Sequence, residues 1–259
     1  MGDNSELTAS AAAGTLAKLA GSSSGQARQR LAAGGPRDSF LTPVREQHQS
    51  LTQLVADRIR DAILTREYPP GARITEATLA KKLGVSKTPV REALLRLQYI
   101  GVIEPDGPRG GRVVAASPTT IVAAYQVREA LEAQAARLAA SRASAKQLAT
   151  IKTATARATA AATAGDVNLF RKWDRQFHDA IADASGNDRL VEMINDALLL
   201  TWTVRRRDVP LADDSPECAK QHEVIVDYIS SRIPIGAGEA MSSHIAHVRD
   251  IVLAAFRPA

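Results

Sequence analysis

The stretch GVSKTPVREALLRL, residues 84–97, decides the fold of the N-terminal half of this chain. It begins with a glycine that can end one helix, and Ser86 or Thr88 can then cap the next by accepting hydrogen bonds from free backbone N–H groups. Pro89 falls in the first turn, where its missing N–H does no harm. From Val90 onward, apolar residues recur at i, i+4 and i+7, which predicts a helix with one face in a core.

The first turn of this helix carries positive charge and hydroxyl groups. Lys87 and Arg91 are four residues apart and therefore share a face, close to the hydroxyls of Ser86 and Thr88. The positive end of the helix dipole lies at the same tip. Such a tip suits phosphate oxygens and guanine edges in a major groove, so these four residues are candidate DNA contacts. The alternative, a solvated amphipathic helix whose charges serve solubility, stays open on spacing alone.

The surrounding segments predict a winged helix-turn-helix domain. Two further helices, at about 51–67 and 76–83, precede the helix at about 86–99, and a Tyr-Pro-Pro-Gly turn separates the first two. Two short β-like runs follow at 102–104 and 112–115, around a glycine-rich turn. Three helices followed by a hairpin are the element order of a winged helix-turn-helix.

The positive charge of the chain is concentrated in the same segment. The 259 residues carry a net charge of +5; residues 51–116 hold eleven Lys and Arg against seven Asp and Glu, whereas residues 117–259 hold seventeen of each. Such an excess is expected where a domain meets phosphate.

A single cysteine, Cys218, excludes an internal disulfide, and no stretch of 18 residues is uniformly apolar. We therefore expect a cytoplasmic protein with no membrane span.

Residues 117–257 are predicted to be helical throughout. Ser117-Pro118 is a helix start signal, with proline in the first turn after a serine cap. The predicted helices are 118–141, 144–164, 166–185, 187–207, 216–232 and 237–255. Short connections favour an antiparallel bundle of about six helices, with the Ala/Thr-rich second helix packed shallowly on its outside. The expected fold is mainly α: a flexible tail at 1–48, a winged helix-turn-helix domain at 49–116 and an all-helical effector-binding and dimerisation domain at 117–257.

The histidines of the helical region suggest a metal site. Asp174 and His178 are four residues apart on one predicted helix, and His222 and His244 lie on apolar-flanked faces of the two last helices. Three imidazoles and a carboxylate can converge on one divalent ion. Each histidine taken singly could instead be a hydrogen-bonded core residue, and His247 competes with His244 for the same role.

The segment GARITEATLAKKLGVSKTPVREALLRLQYIGVIEPDGPRGGRVV resembles the DNA-binding domain of the GntR family of bacterial transcription regulators. The resemblance rests on the PG turn, LA before LGVS, TPVREAL and a glycine-bearing wing. It implies that Ser86, Lys87 and Arg91 contact DNA and that the wing at Arg109 and Gly110 reaches phosphate or the minor groove. The family usually has Arg where this chain has Lys87, and Lys lacks the bidentate fork for guanine.

The bundle is similar to the all-helical FCD effector domain of the FadR subfamily within GntR. The similar stretches are VREALEAQAARLAA, DRQFHDAIADASGN, QHEVIVDYI and AMSSHIAHV. In metal-binding members an Asp-x-x-x-His pair joins two later histidines, and those positions fall on Asp174, His178, His222 and His244, whereas His247 is not a motif position. The resemblance implies a divalent metal of the Zn, Ni or Mn class and a small carboxylate effector.

Together these features predict a transcription regulator, a repressor or an activator, that binds a palindromic double-stranded operator as a homodimer. Arg128 matches the family's effector-binding arginine; its alternative role is a surface pair with Glu132 at i,i+4. A metal-dependent hydrolase using the Asp/His3 site is the competing class. No spare carboxylate is marked out as a general base, and no HExxH pattern, phosphate-binding glycine loop or nucleophile elbow occurs, so an enzyme is not expected.

Overall fold

The computed structural model describes residues 51–209 and 215–257, so the predicted tail at 1–48 lies outside the described residues. Within those ranges the chain forms nine helices and one three-stranded sheet, which confirms the predicted fold class. The elements are α1 (Leu51–Leu64), β1 (Arg73–Thr75), α2 (Glu76–Leu83), α3 (Lys87–Ile100), β2 (Ile103–Pro105), β3 (Gly110–Val113), α4 (Pro118–Arg142), α5 (Ala145–Thr163), α6 (Val167–Ala184), α7 (Asp188–Asp208), α8 (Ser215–Ser230) and α9 (Pro234–Ala255).

The winged domain packs α1, α2 and α3 against an antiparallel sheet of order β1-β3-β2. The sequence did not predict β1, which is only three residues long and has one buried side chain, Ile74. Two glycines let the strands approach closely: a Cβ on Gly110 would lie 2.4 Å from the Ile74 carbonyl oxygen, and one on Gly111 would lie 2.3 Å from Cγ2 of Ile103. The wing therefore needs glycine at both positions.

The helical domain has a core of its own, to which all six helices contribute. Its first helix, α4, begins with Ser117 as N-cap in a capping box with Thr120. The Ala/Thr-rich α5 packs against α6 and α8 through one face that includes buried Ile151, Ala154 and Ala158. Small side chains on that face allow its backbone to approach α6 and α8 closely. No described helix is long and apolar enough to cross a membrane.

Helix α7 connects the two domains. Leu200 packs against the cores of both, and Leu199 packs against the core of the winged domain. At the end of α7, Nη2 of Arg207 donates to the Val114 carbonyl at 2.8 Å, and Nη2 of Arg66 donates to the Arg207 carbonyl at 2.9 Å. The junction is thus held by apolar contact at the middle of α7 and by hydrogen bonds at its end.

Candidate DNA-binding surface and metal centre

The predicted DNA-contacting side chains lie at the exposed N-terminal end of α3. Ser86, Lys87, Thr88 and Arg91 are all exposed. Ser86 is the N-cap, but its side chain makes no capping hydrogen bond, contrary to one of the two cap assignments from sequence. Pro89 is the third residue of the helix and lacks the N–H that such a cap would use, which accounts for the difference. The Ser86 hydroxyl is therefore not used in capping the helix.

Glu76, the first residue of α2, binds one of the predicted cations and is influenced by the charges of two others. Its side chain is 5% exposed, and it accepts from Nε and Nη2 of Arg91 at 2.8 and 3.1 Å. The pKa of Glu76 is lowered chiefly by the hydrogen bond from Arg91; burial opposes this shift, and the charges of Arg91, Arg109 and Lys87 add to it. The α3 tip and the wing thus present their positive charge around one buried carboxylate.

The wing residue Arg109 is exposed, and its carbonyl accepts a hydrogen bond from the Glu76 N–H at 3.2 Å. The next residue, Gly110, belongs to β3 and has a structural reason to be glycine, because its Cα is packed against the β1 backbone. Asp106 in the wing turn pairs with Arg112 at 2.9 Å and with Arg73 at 3.5 Å, which fixes the turn on the sheet.

The structure brings the four predicted metal ligands together in the bundle. One ligand atom from each of Asp174, His178, His222 and His244 lies within 4.8 Å of every other. Nε2 of His222 lies 3.4 Å from Asp174 Oδ1 and 3.3 Å from Nε2 of His244, and Nε2 of His178 lies 3.7 Å from Asp174 Oδ1. Zn–N bonds of about 2.1 Å in a tetrahedral site place ligand atoms about 3.4 Å apart, so the spacing fits a shared cation. His247 is not part of the cluster.

The environment favours the protonation states that a metal requires at three of these ligands. Burial lowers the pKa of His222 and lowers that of His244 well below its usual value, so both imidazoles are neutral near pH 7. Burial works against ionisation of Asp174, but hydrogen bonds with His178 and His222 outweigh it and hold its pKa well below the usual value. Neutral imidazole and ionised carboxylate are the forms that bind metal ions.

The imidazole rings of the cluster are held in orientation by neighbouring side chains. Oε1 of Gln221 lies 2.9 Å from His244 Nδ1, which leaves Nε2 of that ring toward the cluster. The ring of Phe177 stacks on His222 with centroids 3.9 Å apart. Nδ1 of His222 is buried and has no hydrogen-bond partner among the described residues.

Glu132 is a buried acid at the cluster whose contact with a candidate metal ligand was not predicted from the sequence. Its carboxylate contacts Nδ1 of His178 through one oxygen and Nε of Arg128 through the other. Burial raises the pKa of Glu132, but the positive charges of Arg128 and His178 outweigh that effect and lower it to about 2. Burial likewise opposes the charged form of His178, and the Glu132 carboxylate outweighs it and raises the pKa. The i,i+4 spacing of Arg128 and Glu132 predicts that the two side chains pair, but not that the pair is buried against His178.

Arg128 also lies at the cluster. Its Nη2 is 3.0 Å from Nε2 of His178, and its side chain is only 7% exposed. The pair with Glu132 therefore exists but is buried, which corrects the surface pair considered from sequence. Burial allows the pair because each charge has a partner: Glu132 contacts both Arg128 and His178.

The two domains and their sites define a class of protein, the two-domain transcription regulators with a winged helix-turn-helix. Residues 42–113 match the family of bacterial regulatory proteins, gntR family, and residues 123–247 match the FCD domain. The chain belongs to the GntR family and carries an FCD domain, as the resemblance predicted. It is a transcriptional regulator and not an enzyme, because its relatives are transcriptional regulators.

Two curated relatives illustrate this kinship. The chain is 31% identical over 199 residues to the "Probable D-xylose utilization operon transcriptional repressor" of Paenarthrobacter nicotinovorans, covering 74% of this chain and 86% of that protein. It is 27% identical over 223 residues to the "HTH-type transcriptional repressor NanR" of Salmonella newport, covering 77% and 84%. Among solved structures, E. coli McbR/YncC has a TM-score of 0.64 at 24% identity, covering 78% of this chain and 97% of that one, which supports the fold.

Proposed function

We propose that this regulator binds a palindromic operator as a homodimer and that a small carboxylate effector, bound beside a divalent metal in the helical domain, changes its affinity for that operator. The observation that carries the proposal is the group of four buried or half-buried ligand atoms within 4.8 Å of one another in a chain that also has an exposed cationic helix tip. The two features correspond to the two activities: one senses a small molecule and the other binds a duplex.

The α3 tip is assigned to the major groove. Lys87 and Arg91 supply charge and hydrogen-bond donors, and Ser86 and Thr88 supply hydroxyls to phosphate or base edges. Arg109, whose positive charge also acts on the Glu76 carboxylate, is assigned to phosphate or to the minor groove. Sequence preference then comes from the helix tip, whereas the wing contributes affinity that is independent of base sequence.

Asp174, His178, His222 and His244 are assigned as the ligands of one divalent metal. Three imidazole nitrogens and one carboxylate oxygen suit the Zn, Ni or Mn class, and a neutral imidazole set gives the loaded site a formal charge of about +1. When bound, the metal supplies coordination positions that an effector carboxylate can occupy. Arg128 is the candidate partner for the effector because its guanidinium already lies against His178.

Regulation follows from linkage between the two domains. An effector shifts operator affinity only as far as it prefers one arrangement of the domains over another, typically by 1–3 kcal/mol. The contacts of α7 with both domains give the bundle a physical route to the winged domain. A twofold dimer is proposed because an isologous pair of winged domains matches the symmetry of a palindromic operator.

One set of measurements on the full chain tests these assignments. Elemental analysis of the purified protein should give one metal per chain, and the double variant His178→Ala/His222→Ala should lose it while His247→Ala retains it. A duplex selected from random sequence should bind with a salt-dependent affinity at least about a hundredfold above a scrambled duplex. Light scattering should give twice the chain mass. Metal retained in the double variant, no preferred duplex, or a monomer would each contradict the corresponding assignment.

A further inference from the structure

A cationic cavity lies between the helical domain and the winged domain. Its volume is about 680 Å³, well within the range of small-molecule sites in proteins. It is formed by side chains of α6 and α7, among them Lys172, Asp174, Arg175 and Arg206, together with Arg60 of α1.

The lining reaches the metal cluster through one residue, Asp174, and contains more basic than acidic residues. Asp174 is both a lining residue and a member of the cluster, and it is the only acidic residue in the lining. Six of the lining residues are Arg or Lys, and one of these, Arg175, pairs with Asp179 at 2.7 Å. Such a surplus inside a concave site favours anionic ligands, because the low-dielectric walls strengthen the attraction.

Two of these cations have no ion-pair partner among the described residues. The ammonium of Lys172 lies 6.0 Å from the centre of the Trp173 ring, and the guanidinium of Arg206 lies 5.1 Å from the Trp202 ring. Neither makes an ion pair with a described carboxylate. Both are therefore available to an acidic group of a ligand in the cavity.

Arg60 gives the cavity a contribution from the DNA-binding domain. Its Nη1 pairs with Asp57 at 2.8 Å and its Nη2 lies 3.3 Å from Asp61. Its Nε is buried and has no acceptor within the described part of the chain. A buried donor without a partner costs free energy, and an acceptor on a bound ligand would relieve that cost.

We propose that the effector is a small organic acid with two separated anionic groups, called a dianion below even where the second group is a phosphate with close to two charges of its own. Its first acidic group lies at the Asp174 end of the cavity and its second is bound by Lys172 and Arg206, within reach of Arg60. The inference rests on the proposed function and narrows its effector class from carboxylates in general to acids with two separated anionic groups, the second a carboxylate or a phosphate. A ligand of this kind accounts for the size of the cavity and for the two cations, Lys172 and Arg206, that make no ion pair with a described carboxylate.

The position of Arg60 also specifies how the ligand is sensed. Arg60 belongs to the winged domain, whereas Lys172 and Arg206 belong to the bundle. A ligand that contacts all three has its full set of contacts only when the domains hold one arrangement. The difference between its binding free energy for that arrangement and for the others is the linkage free energy. The second anionic group thus couples the ligand to DNA binding, in addition to improving affinity.

The first test uses matched acids and metal-loaded full-length protein in isothermal titration. Gluconate, glucarate and 6-phosphogluconate share a six-carbon chain and differ at the far end; butyrate with succinate and hexanoate with adipate are simpler pairs. At least one dianion should bind about tenfold or more tighter than its matched monoanion.

Lys172→Gln/Arg206→Gln should reduce that advantage to about threefold or less, while Lys152→Gln, an exposed charge loss on α5, should preserve it. Glucarate and 6-phosphogluconate distinguish a carboxylate from a phosphate at the second position.

The second test measures operator affinity with and without the preferred dianion. Arg60→Gln should bind the operator as the wild type does without ligand but lose most of the ligand response, whereas Arg58→Gln, an exposed charge loss on the same helix, should keep it. Monoanions that bind as tightly as every matched dianion would overturn this inference and leave the proposed function standing. Failure of every acid to bind the metal-loaded protein would overturn the proposed effector itself, and an unchanged ligand response in Arg60→Gln would overturn the coupling.

Discussion

Both carboxylate oxygens of Glu76 accept hydrogen bonds from Arg91, one from Nε at 2.8 Å and one from Nη2 at 3.1 Å. The Arg91 side chain is 57% exposed and that of Glu76 is 5% exposed, so a buried acid fixes an exposed guanidinium at the edge of the proposed DNA-binding surface. Arginine has five N–H donors, and three remain for a base edge or a phosphate. Glu76 thus orients Arg91 and leaves it the donors that the proposed DNA contact requires.

The first prediction concerns this pair. Arg91→Ala should cost about 1–3 kcal/mol of operator binding and relax preference at the base it contacts. Glu76→Gln keeps the shape but removes the charge, so Arg91 becomes less ordered and operator affinity should fall by a smaller amount, about three- to tenfold. Fluorescence anisotropy with the selected and a scrambled duplex measures both. Glu92→Gln, on the same helix as Arg91, is the control; equal losses in Glu92→Gln and Glu76→Gln would contradict the orienting role.

Local signals in the sequence predicted the helices and the ligand types, but not the acids that support them. The cap and turn chemistry around Pro89 predicted α3, and the i,i+4 spacing placed Asp174 beside His178. The contact of Glu76 with Arg91 spans 15 residues and that of Glu132 with His178 spans 46, so both depend on how helices cross. A hydrophobic periodicity identifies which face of a helix is buried, but it does not identify which polar side chains meet across two helices.

The second prediction concerns Glu132 as a positioning residue for the metal. Its contact with Nδ1 of His178 fixes the ring so that Nε2 points to the cluster, and loss of such a partner typically costs 10- to 100-fold in metal affinity. Glu132→Gln should therefore weaken metal binding by about that factor, measured by competition with a chelator at pH 8, where protons compete little with the metal. Glu129→Gln, on the same helix and bonded to Ser242, should bind metal as the wild type does. Equal metal affinities in the two variants would argue against this role.

The third prediction is an acid-sensitive helical domain. The pKa of Glu132 is about 2 in the folded chain against a usual value of 4.5, so its contribution to stability is present above about pH 4.5 and is lost as the pH falls toward 2. The full contribution is on the order of 3 kcal/mol. Urea unfolding of metal-stripped protein at several pH values between 7 and 3 should show this loss. The decline should be shallower in Glu132→Gln, and parallel curves for the two proteins would exclude Glu132 as its source.

The fourth prediction concerns the end of α7, where Arg207 joins the domains. Its side chain is 1% exposed, pairs with Asp208 and donates to the Val114 carbonyl. Arg207→Lys keeps the charge but loses the planar guanidinium whose N–H groups bond Asp208 and the Val114 carbonyl at the same time. The unpaired carbonyl should cost about 1–3 kcal/mol at the junction only. Calorimetry should then resolve two thermal transitions, one for each domain. Operator and effector should each still bind, but the effector should no longer change the affinity for the operator. Arg189→Lys, an exposed change on the same helix, should retain one transition and the response; the same behaviour in Arg207→Lys would mean that the domains communicate by a route other than the end of α7.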